Sequence, residues 1–240
     1  MTHGDEIKIF YQRHLPHYQP PGCTFFVTFR LTGSLPLYVI QKLKAEHEAQ
    51  LKLISGIEDQ KVKKEQYRNY QTSYFEKFDS ILDKYRSKAR WLIQHAVAEK
   101  VKEAIHFRDG NEYGLIAYTI MPNHVHMVFS LLVEEGNGFV SNGKNYSQNI
   151  NDRIVGRTDC STYIVTDILK SLKWYTAKEC NKILNRSGAF WQHESYDHVV
   201  RDEDELSRIV EYVLNNPVKA GLVDKWEDWK WSYCKFVSSD

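Results

Sequence analysis

Hydrophobic and polar positions follow two rhythms in this chain, and the switches between them outline the fold. Cys23 to Leu31, CTFFVTFRL, is aromatic and β-branched with rough alternation, which predicts a strand. Leu37 to His106 is charged, has Gly56 as its one glycine, and spaces its apolar residues for two or three amphipathic helices. Tyr113 to Met121, YGLIAYTIM, predicts a second strand. A turn at Pro122-Asn123 leads straight into a third, HVHMVFSLL, so the pair reads as a hairpin. Thr166 to Leu184 is helical, with Ile168, Leu169, Leu172, Tyr175, Ala177 and Ile183 on its apolar side. Phe190 to Arg201 holds a loop and a short strand. Asp202 fits an N-cap with Glu205 as its box partner, opening a helix that Pro217 is expected to stop, with Gly221 as the turn residue beyond.

This order, strand, helices, strand, strand, helix, strand, helix, predicts an α+β fold: a ferredoxin-like βαββαβ sandwich with a central antiparallel sheet. Its first crossover is enlarged and helical, at about residues 37–106, and a further helix follows the last strand. Residues 134–160 are rich in Gly, Asn and Ser and read as a long mobile loop. The proline-punctuated residues 1–22 read as an arm or loop, and the aromatic tail DKWEDWKWSYCKF is expected to pack back on the body. Residues 1–240 are taken as a single domain.

Composition narrows the class. At 42% hydrophobic and 26% charged the chain matches ordinary globular proteins. No apolar run approaches the roughly 20 residues of a membrane span, and the first residues lack the pattern of a signal peptide, so a cytoplasmic location is expected. Cys23, Cys160, Cys180 and Cys234 form no CxxC pair, which argues for separate reduced thiols and against a zinc knuckle. The net charge of +1 gives no global sign of a nucleic-acid binder, so any such surface must be local.

His124 and His126 are one residue apart in a predicted strand, so both imidazoles lie on one face and can reach one ion. Two imidazoles with an oxygen ligand suit a divalent ion such as Mg²⁺, Mn²⁺ or Zn²⁺. A bare HxH equally describes two histidines exposed on a sheet. No HExxH helix or HxHxDH pattern is present to suggest another metal enzyme. In the helix after Asp202, Leu206, Ile209, Val210, Val213 and Leu214 form the apolar stripe. Tyr212 lies roughly 130° from its middle at about 100° per residue. Asn216, four residues on, shares that face, so one helix presents a phenol and an amide oxygen side by side. A half-exposed tyrosine beside a helix-ending Asn-Pro fits the same local facts.

Three strings carry a resemblance: Met121-Pro122-Asn123-His124-Val125-His126, then Phe190-Trp191-Gln192, then Tyr212-Val213-Leu214-Asn215-Asn216-Pro217-Val218-Lys219-Ala220-Gly221-Leu222-Val223. Together with Arg13-His14-Leu15-Pro16-His17 and Asp228-Trp229-Lys230-Trp231-Ser232, they resemble the REP-associated tyrosine transposases, a branch of the single-tyrosine HUH transposases. The resemblance implies a metal-dependent single-strand DNA endonuclease and strand transferase. It would nick and rejoin hairpin-forming repeat DNA through a 5′-phosphotyrosine, in DNA transposition or recombination. It implies Tyr212 as nucleophile, His124 and His126 as ligands of Mg²⁺ or Mn²⁺, and Asn216 as a third ligand. It also implies a monomer with Tyr212 acting in cis, a helix-exchanged dimer being the alternative. The long first crossover and the extended loop after the histidine strand depart from smaller members, either as an added binding surface or as decoration.

For the DNA path, the helix with Lys170, Lys173, Lys178 and Lys182 is locally basic, and Trp174 could stack bases. A solvated helix face is the competing account. Arg13 and His14 could belong to a hairpin-reading arm. Trp191 and Gln192 could border the site, with a core role for Trp191 equally open. The alternative to strand transfer is a domesticated, non-cleaving binder of structured DNA or RNA. A metalloenzyme acting outside nucleic acids has nothing beyond HxH in its favour.

Overall fold

The computed structural model describes residues 23–85, 89–135, 138–141, 144–146 and 163–236. Strand β1 (Thr24–Leu31) is followed by three helices, α1 (Leu37–Ser55), α2 (Gln60–Lys84) and α3 (His95–Arg108). Strands β2 (Gly114–Ile120) and β3 (His124–Ser130) form the expected hairpin. Its turn is closed by Met121 N–H donating to His124 O at 2.9 Å. Short strands β4 (Val133–Glu135), β5 (Gly138–Ser141) and β6 (Lys144–Tyr146) make a separate antiparallel sheet. Within the front of the stretch expected as a loop, the described residues are therefore paired strand. Residues 147–162 lie outside the described residues. Helix α4 (Tyr163–Ile183), strand β7 (Trp191–Val200), helix α5 (Glu203–Lys219) and strand β8 (Ser232–Cys234) complete the chain.

The main sheet has the order β7-β1-β3-β2-β8 with every neighbouring pair antiparallel. Without its last strand this is the ferredoxin-like arrangement, with β3 at the centre. The tail packs back as the sequence suggested. Trp231 is buried, β8 pairs with β2, and Trp229 Nε1–H donates to Ile120 O at 3.1 Å. Instead of a short strand, Phe190 to Arg201 supplies a full 10-residue edge strand.

The two faces of the sheet are covered by different helices. Phe25, Val27, Phe29 and Leu31 of β1 and Val125, Met127 and Phe129 of β3 pack with the apolar sides of α3 and α4. These are the two crossover helices of the basic fold. On the other face, Phe26, Ile116, Ala117 and Val128 pack with Phe75 of α2 and Val213 of α5. Within the enlarged crossover, then, α3 keeps the expected place while α2 crosses to the opposite face, with α1 packed on it through Leu43, Tyr74, Phe78 and Leu82. The turn between α1 and α2 is set by Asp59, whose carboxylate accepts from Lys61 N–H and Val62 N–H at 2.8 and 3.0 Å.

Helix α5 starts as read from the sequence, with Asp202 Oδ1 accepting Glu205 N–H at 2.7 Å. Glu205 reaches back one residue further than a standard box, to Arg201 N–H at 2.7 Å. Pro217 does not stop the helix, which runs to Lys219. The proline forfeits only its own N–H bond, so close to the end that the helix absorbs the loss. Ala220 N–H then closes back on Asn216 O at 2.9 Å.

Phe75 stacks on Tyr196 at 4.4 Å between ring centres and meets Phe26 at 5.2 Å and Tyr212 at 5.7 Å, which pins α2 to the sheet. Phe75→Ala is expected to cost about 3–5 kcal/mol. The loss would be read as a lower denaturant midpoint at unchanged m-value, and an unchanged midpoint would refute this anchoring role.

Candidate metal centre and active site

Alternation along β3 puts His124 and His126 on the face covered by α2 and α5. The register places His126 beside Thr28 and His124 beside Arg30 of β1. Both histidines are fully buried, unlike a pair exposed on a sheet. Their Nε2 atoms lie 3.0 Å apart. Each Nδ1 is held from behind, His126 by Thr28 Oγ1 at 2.7 Å and His124 by Asn123 Oδ1 at 2.7 Å. Asn123 also donates its Nδ2–H to Leu82 O at 2.9 Å, which fixes its amide with the oxygen toward His124. That oxygen can only accept, so His124 carries its proton on Nδ1 and turns the Nε2 lone pair into the site. Burial pushes His124 down to about 3, with His126 adding to the fall and Asp79 opposing it, so the imidazole is neutral.

The third group comes from α2. Asp79 Oδ1 lies 3.1 Å from His126 Nε2 and 3.6 Å from His124 Nε2, and it has no hydrogen-bond partner. Asp79 Oδ2 faces the other way, accepting the Tyr212 hydroxyl proton and the Asn216 Nδ2–H, the latter at 2.9 Å. Burial alone would raise the Asp79 carboxyl. His126 beside it and the Tyr212 hydroxyl outweigh it and hold the group below the usual carboxylate range. Tyr212 is driven the opposite way, well above an ordinary phenol, by burial and by the Asp79 charge and hydrogen bond. Asp83, one turn beyond Asp79, approaches His124 Nε2 at 3.9 Å. Burial and the Asp79 charge push Asp83 up to about 7.

His124 Nε2, His126 Nε2 and an oxygen of Asp79 lie within 4.8 Å of one another and are buried. Asn216 Oδ1 and Asp83 Oδ1 are buried nearby without partners. A convergence of nitrogen lone pairs with unpaired carboxylate and amide oxygens lacks a positive centre, and a divalent cation fits that donor set. A cleft of about 640 Å³ opens onto the site, lined by Asp79, Asp83, Asn123, Tyr212 and Asn216.

The structure thus brings His124, His126, Tyr212 and Asn216 together and adds Asp79, Asp83, Asn123 and Thr28, which the sequence reading did not single out. Asp79 had one visible signal: it falls in the apolar stripe of Phe75, Phe78 and Leu82, where a charge is out of place unless paired.

The residues expected to contact DNA are spread apart. Lys170, Trp174 and Lys178 are exposed on α4, with Lys178 Nζ over the Trp174 ring at 5.4 Å. This helix covers the sheet face opposite the histidines. Lys173 donates to the carbonyls of Gln192 and His193 at 2.6 and 2.8 Å. Trp191 takes the core role, against Phe29 at 4.8 Å and donating Nε1–H to Thr176 Oγ1 at 2.8 Å. A groove of about 940 Å³ bends round the β7 edge between Lys64 and Arg68 of α2 and Lys170 and Trp174 of α4, with Gln192 in its lining. Arg13 and His14 lie outside the described residues. Cys23, Cys180 and Cys234 form no disulfide among the described residues, and Cys160 is outside them. No described helix is long and apolar enough to cross a membrane.

No family model matches the chain. A Haemophilus influenzae protein classed among the REP-associated tyrosine transposases is 28% identical over 122 residues. That match covers 49% of this chain and 56% of the relative, little more than half of its length. A solved REP-associated tyrosine transposase bound to a REP hairpin superposes with a TM-score of 0.48 at 16% identity, over 92% of this chain and 80% of the other.

Two measurements test the centre. Asp79→Ala is expected to weaken Mn²⁺ binding by more than roughly tenfold, and Asn123→Ala by roughly 10–100-fold through loss of tautomer control. Both are read by calorimetry, and wild-type affinity in Asp79→Ala would remove it from the ligand set. Asp83 beside the site gains a proton as the pH falls through about 7, whereas His124 and Asp79 are held low and keep their lone pairs, so Mn²⁺ affinity should weaken modestly across neutrality and persist in mild acid. A flat profile across neutrality would show that the Asp83 charge does not act on the ion, and complete loss in mild acid would show that His124 and Asp79 are not the ligands.

Proposed function

We propose that the chain is a metal-dependent single-strand DNA endonuclease and strand transferase that works through Tyr212. One observation carries the reading: the Tyr212 hydroxyl and the histidine pair meet on opposite oxygens of the same buried Asp79 carboxylate. Tyr212 of the same chain lies 5.8 Å from the His126 ring, ring centre to ring centre, which supports attack in cis by a monomer.

Tyr212 Oη attacks phosphorus, forming the Oη–P bond and breaking the bond from phosphorus to the 3′ oxygen. The 5′ end stays on the tyrosine and the 3′ oxygen leaves as a hydroxyl, taking its proton from solvent. The phenolic proton is already shared with Asp79 Oδ2, the atom placed to receive it. Rejoining reverses the path with an incoming 3′-hydroxyl, and the covalent link keeps the diester energy, so no nucleotide is consumed. His124, His126 and Asp79 Oδ1 would hold Mg²⁺ or Mn²⁺, and Asn216 Oδ1 is the further oxygen available to it. When bound, the ion supplies polarisation of the phosphate and offsets the Asp79 charge that keeps the phenol protonated. Hairpin-forming repeat DNA is the substrate class suggested by the name of the Haemophilus relative.

Incubated with a single-stranded hairpin oligonucleotide and Mn²⁺, the wild type should form a covalent protein–DNA adduct that resists denaturation. Tyr212→Phe and His124→Ala should form none. An adduct in Tyr212→Phe would exclude this nucleophile, and tight hairpin binding with no adduct in the wild type would point to a non-cleaving binder.

A further inference from the structure

The cleft at Tyr212 is acidic. Asp79, Asp83 and Glu76 all line it, and all three charges oppose ionisation of the phenol. A DNA strand entering such a cleft brings more negative charge, and an in-line displacement at phosphorus spreads that charge over the non-bridging oxygens. Cations must therefore be placed against it. Lys84 and Arg90 line the cleft as well.

Lys219 is different. It stands seven residues after Tyr212 on α5, about 10.5 Å further along the helix axis by rise alone. Nevertheless its ammonium lies 4.5 Å from the Tyr212 ring centre, so the side chain reaches back along the helix over the nucleophile. It lines the same cleft as Tyr212, Asn216 and Asp83, and its charge is felt at Asp83. The residue is exposed and makes no ion pair among the described residues, which leaves the ammonium available to an incoming anion. The plainer account is a lysine in the last helical turn that complements the helix dipole and packs on a ring.

We propose that Lys219 is a catalytic residue, a phosphate-holding cation that takes a non-bridging oxygen of the scissile diester while Tyr212 attacks. It rests on the strand-transfer reading above. An ammonium fixed where charge develops accelerates the chemical step more than it tightens binding, which separates this role from a simple DNA contact.

The test uses the full chain loaded with Mn²⁺ and a saturating single-stranded hairpin oligonucleotide, following adduct formation in a single turnover. Lys219→Met should slow that step roughly 10- to 100-fold, with Mn²⁺ affinity unchanged. Lys219→Arg, which keeps the charge, should recover most of the rate. If Lys219→Met forms adduct at the wild-type rate at saturation, whether or not its DNA affinity or melting temperature falls, the lysine serves binding or the helix end and the proposal fails. A slow step accompanied by an equal loss of Mn²⁺ affinity also overturns it. A wild type that forms no adduct instead brings down the parent reading, an outcome distinct from either.

Discussion

A carboxylate buried among aromatic rings and histidines is costly unless its neighbours repay the lost hydration. Asp79 meets that condition on one side, and a cation would complete it on the other. One oxygen turns to the imidazoles of β3 and the other takes the hydroxyl and amide protons of α5. Much of the architecture follows from keeping those partners aligned. Helix α2 must leave the side occupied by α3 and cross to the other face. Helix α5 must return beside it, and the central strand must present its histidines toward both. The ring cluster of Phe26, Phe75, Tyr196 and Tyr212 supplies the apolar burial that holds these pieces around the charge.

The parts of this arrangement governed by short-range periodicity were legible in the sequence. Alternation in HVHMVF put His124 and His126 on one face, and the Pro122-Asn123 turn put them at the head of the central strand. Helical spacing set Tyr212 and Asn216 side by side and off the apolar stripe. The position of Asp202 before that stripe marked where the helix begins. The strand order needed only the succession of elements and the general preference for antiparallel neighbours.

What was not legible depends on contacts between distant segments. Asp79 is 133 residues from Tyr212, and nothing in local spacing says that a helix inside the enlarged crossover will lie against the C-terminal one. The crossover therefore read as an added surface or decoration, whereas it supplies the oxygen at the centre of the site. Asn123 read as a turn former, yet its amide joins the C-terminal end of α2 to the tautomer of His124, a role visible only once Leu82 is beside it. Pro217 misled in the opposite sense. A strong local rule put the helix end before it, but the helix was already ending and the residue could be carried.

Lys173 has a consequence of another kind. Strand β7 is the outer strand of the main sheet, and its pairing with β1 shifts register between Phe29 and Leu31. In that irregular stretch the Lys173 ammonium occupies the carbonyls of Gln192 and His193, with Ser195 Oγ at 3.1 Å. A free row of backbone acceptors is a template on which another chain can add a strand. With those two carbonyls already taken by the Lys173 ammonium of α4, that stretch of the outer strand offers fewer acceptors to an approaching chain.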